Sequence, residues 1–385
     1  MNKVAIARCL SYNKEDVERG IKEVVKYFGD HGNGLGNYVK NGDRVLIKPN
    51  LLLASKPESC VTTHPSLIRE IIYQVQDAGG KVTIGDSPGG PNNLSYIKLA
   101  YSRAGIQKVA LETGAKLNED LSYEYVSFPN GKAIKKAKIC KFVLNADKII
   151  TVPKLKTHMF TTFSGACKVQ YGYIPGLEKS IYHGKFKEPY SFSELILDIV
   201  ERFPPNFVFM DGIMGMEGDG PNAGRPKKVG VIIGGEDPIS VDIAALSIIN
   251  IEPNNVPYIA NAVKRKLTTG KISDIQILGE RIEDVKVLDY KRPGSYKSSP
   301  VANAFRVLGR FVTPFISPKP YPLSNCTGCG ICEVNCPKKI IRIVSEGNRK
   351  RAKVGTFGCI RCYCCHEMCP NKAMGLKKFY QVSTK

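Results

Sequence analysis

The sequence predicts an α/β protein: a large domain built on a mostly parallel sheet, followed by a small α+β module rich in cysteine. Three observations lead there. Short apolar runs alternate with amphipathic helical segments over residues 1–285. Nine of the 13 cysteines fall between Cys326 and Cys369. At 385 residues the chain is also longer than one small core uses, so two packed units are expected.

The elements follow in order. KVAIA at 3–7 reads as a short strand, and residues 14–28 set Val17, Ile21, Val24, Val25 and Phe28 on one helical face. After a glycine-rich loop, RVLIKPN (44–50) is a buried strand running into a polar loop, SLIREIIYQVQDAGG (66–80) a helix with a glycine stop, and KVTIGD (81–86) the next strand. The alternation continues with a helix near 95–113, a strand at DKIITVP (147–153), a helix around 191–202 and a strand at NFVFMDG (206–212). KVGVIIGG (228–235) is a strand, PISVDIAALSIIN (238–250) and 256–266 are helices, and 275–278 is a last strand. Short apolar strands separated by helices favour a parallel sheet, but they leave its strand order open. Residues 286–321 form a basic, proline-containing linker. Within it VANAFRVLGRFVTPFI (301–316) has an apolar stripe broken by Arg306 and Arg310, read as a tether or packing helix, with a membrane-surface segment as the alternative. The small module then occupies 322–385.

A composition of 43% hydrophobic and 24% charged residues fits a loop-rich globular protein better than a disordered or fibrous one. The net charge of +21 favours anionic ligands or partners. It is uneven: residues 1–285 carry about +6, 286–325 about +6 and 326–385 about +9. No apolar run approaches transmembrane length and MNKVAIARCL lacks a signal core, so a cytoplasmic protein without a transmembrane segment is expected. No stacking aromatic platform or groove-reading motif accompanies the basic residues, so nucleic acid is not favoured as a partner.

The cysteines carry the clearest chemistry. Cys326, Cys329, Cys332 and Cys336 precede Pro337, and Cys359, Cys362, Cys365 and Cys369 precede Pro370, each in the spacing C-x₂-C-x₂-C-x₃-C-P. Soft thiolates suit iron, and two-residue gaps let a tight loop wrap a cubane. Zinc is the rival, but zinc motifs generally close locally on four ligands. Residues 322–376 thus resemble bacterial-type two-cluster ferredoxin domains. The resemblance implies two [4Fe–4S] clusters with crossed fourth ligands: Cys326, Cys329, Cys332 and Cys369 for one, Cys359, Cys362, Cys365 and Cys336 for the other. Cys364 is an extra thiol outside this pattern.

In the large domain KPNLLL (48–53), TTHP (62–65), GDSPGG (85–90), PKLKTH (153–158), DGIMGMEGDGP (211–221) and GVIIGGEDPISVD (230–242) together resemble the DUF362 family. That resemblance implies an α/β domain with a ligand cleft. Independently, KPN, GDSPGG, PKLKTH and DGIMGMEGDGP all follow predicted strands, where an open parallel sheet gathers its loops at one edge. There Lys48, Lys154, Lys156 and Lys168 would attract a carboxylate or phosphate, with Asn50, Ser87 and Thr157 as hydrogen-bonding groups. His158 is the candidate proton donor, and Asp86 or Asp211 would orient the site. His64 is a weaker candidate, Asp219 could orient a base or hold magnesium, and Asp237 and Asp242 read as supports for the helix they precede or open. GDSPGG is neither GxGxxG nor a P-loop, so no nicotinamide or ATP fingerprint is present. A flavin would couple one- to two-electron chemistry, but no flavin motif demands it.

The expectation is an iron–sulfur oxidoreductase that passes electrons from the cysteine module to an anionic small molecule in a basic cleft. The alternative is an electron-transfer protein that docks a redox partner through a non-catalytic large domain. In either case a redox partner protein is implied.

Overall fold

A computed structural model describes residues 1–28, 34–295, 318–347 and 349–377. The expected packing helix at 301–316 lies outside the described residues. The strands are β1 (Asn2–Arg8), β2 (Arg44–Pro49), β3 (Lys81–Ile84), β4 (Lys116–Leu117), β5 (Tyr123–Ser127), β6 (Lys136–Cys140), β7 (Lys148–Val152) and β8 (Lys154–His158). They continue with β9 (Thr162–Ser164), β10 (Phe207–Glu217), β11 (Arg225–Gly235), β12 (Ile275–Gly279), β13 (Lys319–Pro322), β14 (Ile341–Glu346), β15 (Arg349–Val354) and β16 (Met374–Lys377).

One large sheet runs β12-β1-β11-β10-β7-β2-β3-β4, and β8 and β9 branch from β10. Its pairings are mostly parallel; β11 is antiparallel to both β1 and β10, and β9 to β8. Alternation along the strands sorts side chains into two layers. Val4, Leu46, Val208, Met210, Val231 and Ile233 enter one core, which is covered by the helices Pro189–Arg202, Pro238–Ile248 and Pro257–Lys264. Ala5, Val45, Ile47, Phe207, Phe209 and Ile232 enter the other, under the helices Lys14–Val25 and Pro65–Asp77. The fold is therefore the expected α/β architecture with a sheet between helical layers.

Three local differences have physical causes. The helix expected near 95–113 is two helices, Leu94–Arg103 and Ile106–Thr113, because Gly105 between them takes φ +73°. PKLKTH is not a loop: after Pro153 the chain resumes as β8, parallel to β10. DGIMGME is likewise strand rather than loop. Its glycines allow close packing: a Cβ at Gly212 would lie 3.0 Å from the Val231 carbonyl oxygen, and one at Gly215 would lie 3.0 Å from that of Leu155.

The cysteine module is closed by its own ends, since β13 pairs antiparallel with β16, while β14 and β15 form a hairpin. Cys332, Cys336, Cys365, Ile341, Ala352 and Met374 form its small core. It packs directly on the large domain. Met368 joins Leu53, Cys60, Val61 and Met216 in an apolar cluster, and the Asn222 amide donates to the Cys369 carbonyl at 2.8 Å. Gly89 of GDSPGG makes room for this docking, because a Cβ there would sit 2.4 Å from the Met368 sulfur. Among the described residues no helix is long and apolar enough to cross a membrane.

Candidate functional site

The eight patterned cysteines divide between two voids. Cys326, Cys329, Cys332 and Cys369 line one of about 320 Å³; Cys336, Cys359, Cys362 and Cys365, with Cys364 beside them, line another of about 350 Å³. Backbone amides of Ala352 and Ala373 donate to the sulfurs of Cys326 (3.4 Å) and Cys369 (3.1 Å), the kind of bond that steadies a thiolate. No group of three or more His, Cys, Asp or Glu among the described residues converges on a single metal ion. Four thiols spread around a void suit a polynuclear cluster better than zinc, which draws its ligands onto one centre. The donor sets therefore fit a pair of cubanes, with the fourth cysteine of each run crossing to the other void.

A third cavity, about 720 Å³ including its mouth, lies where the module meets the large domain. The large domain contributes Asn50 after β2, Asp86 and Ser87 after β3, Lys156 from β8, Lys168 from the short helix Ala166–Val169, and Lys179 and His183 from the helix Glu178–Lys185. The opposite wall is Asn335, Cys364, Glu367 and Met368 of the cysteine module.

The charges inside are not equivalent. Lys48, buried behind the wall, pairs with Asp86 at 2.8 Å, and Asp86 also accepts from the Leu51 amide. Lys156 donates to the Asn50 side chain and the Val61 carbonyl, both at 2.7 Å; burial holds its ammonium well below the usual lysine range. Lys179 donates to the Ser87 carbonyl (2.8 Å) and hydroxyl (2.9 Å), and burial brings its pKa to about 8. Lys168 has neither an ion pair nor a hydrogen bond with the described residues. Burial lowers its pKa, against the attraction of Glu367 and Cys364. Glu367 is raised to about 7 by burial, and His183, whose Nδ1 is buried without a partner among the described residues, is lowered to about 3 by the same cause. The cavity thus joins three lysine amines, one of them without a partner among the described residues, to an otherwise partly apolar wall, which suits an anion with a nonpolar part.

Several expected residues stand outside this cavity. Lys154 and Asp211 form a fully buried pair at 2.8 Å, closed by the Tyr12 hydroxyl at 2.8 Å from each. The amide of His64 also donates to Asp211, so that carboxylate is satisfied structurally. His158 is fully buried. Its Nδ1 accepts from the amides of Phe160 and Thr161, which leaves Nε2 to carry the proton, 3.5 Å from Glu367. Burial keeps this imidazole neutral. Thr157 donates to the Met216 carbonyl, and Asp219 accepts from the Gly294 amide. His64 caps the helix Pro65–Asp77 and Asp237 caps Pro238–Ile248, whereas Asp242 reaches across to the amides of Ala166 and Cys167.

Lys48, Asn50, Asp86, Ser87, Lys156 and Lys168 thus come together as the sequence suggested, with Lys48 acting through Asp86. Lys179, Tyr171, Asn335 and Glu367 are additions. Lys179 looks like any surface lysine in sequence, while Glu367 carried a signal, an acid set between two cysteines of the second run.

A family model described as a domain of unknown function, DUF362, matches residues 45–247, just over half of the chain. A thylakoid-associated protein of Synechocystis sp. is 30% identical over 264 residues, covering 67% of this chain and 77% of that protein. Among solved structures, the lactate racemase apoprotein from Thermoanaerobacterium thermosaccharolyticum aligns with a TM-score of 0.39 at 16% identity, over 62% of this chain and 55% of that one. A Thermotoga maritima protein aligns with a TM-score of 0.32 at 12% identity, over 56% and 53%. The chain spans about half the length of these solved structures. On the extent of the family match and the identity to its relative, the chain belongs to the DUF362 family.

Proposed function

We propose that the protein is an iron–sulfur oxidoreductase whose C-terminal module delivers electrons to an anionic small molecule in the lysine-lined cavity. Bound at the two cysteine sets, a pair of [4Fe–4S] clusters would supply one-electron transfer. One observation carries the reading: Cys364 borders both the second cysteine-lined void and the large cavity. Electron source and ligand would then be separated by little more than one side chain.

The chain's own residues have definable roles in this reading. Lys168, with no partner among the described residues, provides the charge that selects an anion, while Lys156 and Lys179 are held in place by Asn50, Val61 and Ser87. Lys48 and Asp86 fix the floor of the cavity as a neutral pair. Leu51, Leu52, Val169 and Met368 exclude water from a nonpolar portion of the ligand.

The test is anaerobic turnover. Protein with its iron and sulfide quantified is given a low-potential electron donor and a panel of reducible carboxylates and phosphates. Substrate-dependent oxidation of the donor is expected, and Lys168→Met should lower kcat/KM by about tenfold to a hundredfold while leaving iron content unchanged. Donor oxidation that no small molecule accelerates, alongside fast transfer to an acceptor protein, would favour the electron-carrier alternative.

A further inference from the structure

The two cysteine-lined voids are not equally placed. The second set is mostly enclosed, with Cys336, Cys362 and Cys365 buried, and it adjoins the cavity through Cys364. The first set has the exposed Cys329, with Cys326 and Cys369 partly open. Its outer cover is the β14–β15 hairpin: the Ala352 amide bonds the Cys326 sulfur, and the loop at Gly328 lies so close that a Cβ there would be 2.6 Å from the Lys350 Cβ.

That cover is strongly basic. Residues 318–377 contain 11 Lys and Arg against three acids, Glu333, Glu346 and Glu367, the last of them buried. Arg342 faces Glu333 and Arg351 faces Glu346. Arg349, Lys350 and Lys353 on the hairpin, with Lys372 on the neighbouring turn, are exposed and lack ion pairs with the described residues. Lys372 is close to the same mouth, because its neighbour Asn371 bonds Thr327 at 2.9 Å. These cations thus lie on the scaffold that covers the first set, with Lys350 placed against the loop that carries Cys329, the one exposed cysteine of the patterned eight.

We infer that this face is the docking surface for an acidic one-electron carrier protein, and that electrons arrive at the first cysteine set and leave from the second. The inference rests on the iron–sulfur reading above. The carrier's reduced centre gives up one electron and the cluster held by Cys326, Cys329, Cys332 and Cys369 gains it; no bond is made and no proton moves. Complementary charge brings the carrier to the exposed sulfur and raises the association rate. A lipid surface or a nucleic acid would also be drawn to these cations, but only a redox carrier uses their place beside an exposed cysteine.

The test uses iron-loaded full-length protein under anaerobic stopped flow, with a reduced acidic plant-type [2Fe–2S] ferredoxin as donor. The second-order rate is expected to fall by about tenfold or more between low salt and 0.3 M salt. Arg349→Glu/Lys350→Glu/Lys353→Glu should slow the reaction at low salt by a similar factor and weaken ferredoxin binding in parallel. Lys338→Glu/Lys339→Glu, beside the second set, should leave both unchanged, and the methyl viologen radical cation, which the basic face repels, should reduce the hairpin variant no more slowly than the parent. If the triple reversal does not retain its iron, the corresponding Gln variant is read instead, with a smaller slowing.

Salt-independent reduction overturns the docking surface. So does slowing by the Lys338/Lys339 pair alone, or loss of binding to phosphatidylglycerol vesicles in the hairpin variant with its ferredoxin rate intact. Absence of iron and sulfide from anaerobically purified protein would instead sink the relay reading itself, so the two failures are distinguishable.

Discussion

Cys364 shows how much a single residue can separate two readings of one motif. It falls outside the ligand spacing, yet its sulfur lies close enough to Cys362 for the pair to share a proton, which raises the pKa of Cys364 and lowers that of Cys362. A sulfur that receives such a bond stabilises the reduced, more negative state of a cluster it ligates. Cys364→Ala should therefore leave about eight irons per chain and lower the potential of one cluster by tens of millivolts, read by an EPR-monitored redox titration. A loss of half the iron would instead make Cys364 a ligand. The motif spacing shows which cysteines to group. It does not show where a side chain outside the spacing points, because that depends on how the module docks against Lys168 and Tyr171.

At the scale of elements, the short helix Ala166–Val169 matters more than its length suggests, because it presents Lys168. Four residues cannot hold a helix by themselves. Asp242, from the middle of another helix, accepts its first amides at 2.6 and 3.0 Å, and Gly165 permits that approach. Gly165→Ala would place a Cβ 2.0 Å from the Asp242 carboxylate and 2.5 Å from the Phe163 ring, neither of which has room to withdraw. A loss of roughly 1–3 kcal/mol is expected, seen as a lower Tm and weaker anion binding together. An unchanged anion affinity would show that Lys168 does not depend on this support. In sequence the helix and strand periods placed most of the long elements within a few residues. PKLKTH and DGIMGMEG were misread as loops because Pro153 and the glycines carry the composition of turns. Here those residues divide β7 from β8 and let three strands approach closely. Strand order was not legible, since hydrophobic alternation reports burial but not which neighbour covers it.

For the whole molecule, acid stability gives a test that needs no substrate. His64 is lowered to about 4 by burial, His183 to about 3, and His158 is lowered as well. Each binds its proton less tightly folded than unfolded, so its contribution is complete above about pH 6.5 and is lost as pH falls, by about 1.4 kcal/mol per unit per histidine. Asp242, raised to about 6 by burial, has the opposite sign: its contribution is largest below about pH 4 and declines as pH rises through 6. Glu367, raised to about 7, has the same sign as Asp242. Three histidines still outweigh two carboxylates, so the folded protein should weaken between pH 6.5 and 4.5. His64→Asn keeps a capping side chain on the helix Pro65–Asp77 and should flatten the slope by about one histidine's share, measured as Tm against pH. An unaltered slope would mean that His64 is protonated in the folded state despite its stacking on Tyr12 at 3.6 Å.

The seat that Gly89 makes for Met368 has one more consequence. Met368, Glu367 and Cys364 lie on the stretch between Cys362 and Cys369, so one wall of the cavity is strung between members of both cysteine sets. Whatever tightens or slackens those cysteines reshapes the chamber on the other side. On the iron–sulfur reading proposed above, cluster occupancy of the two cysteine sets and affinity for a small anion should therefore rise and fall together, as two readings of a single interlock.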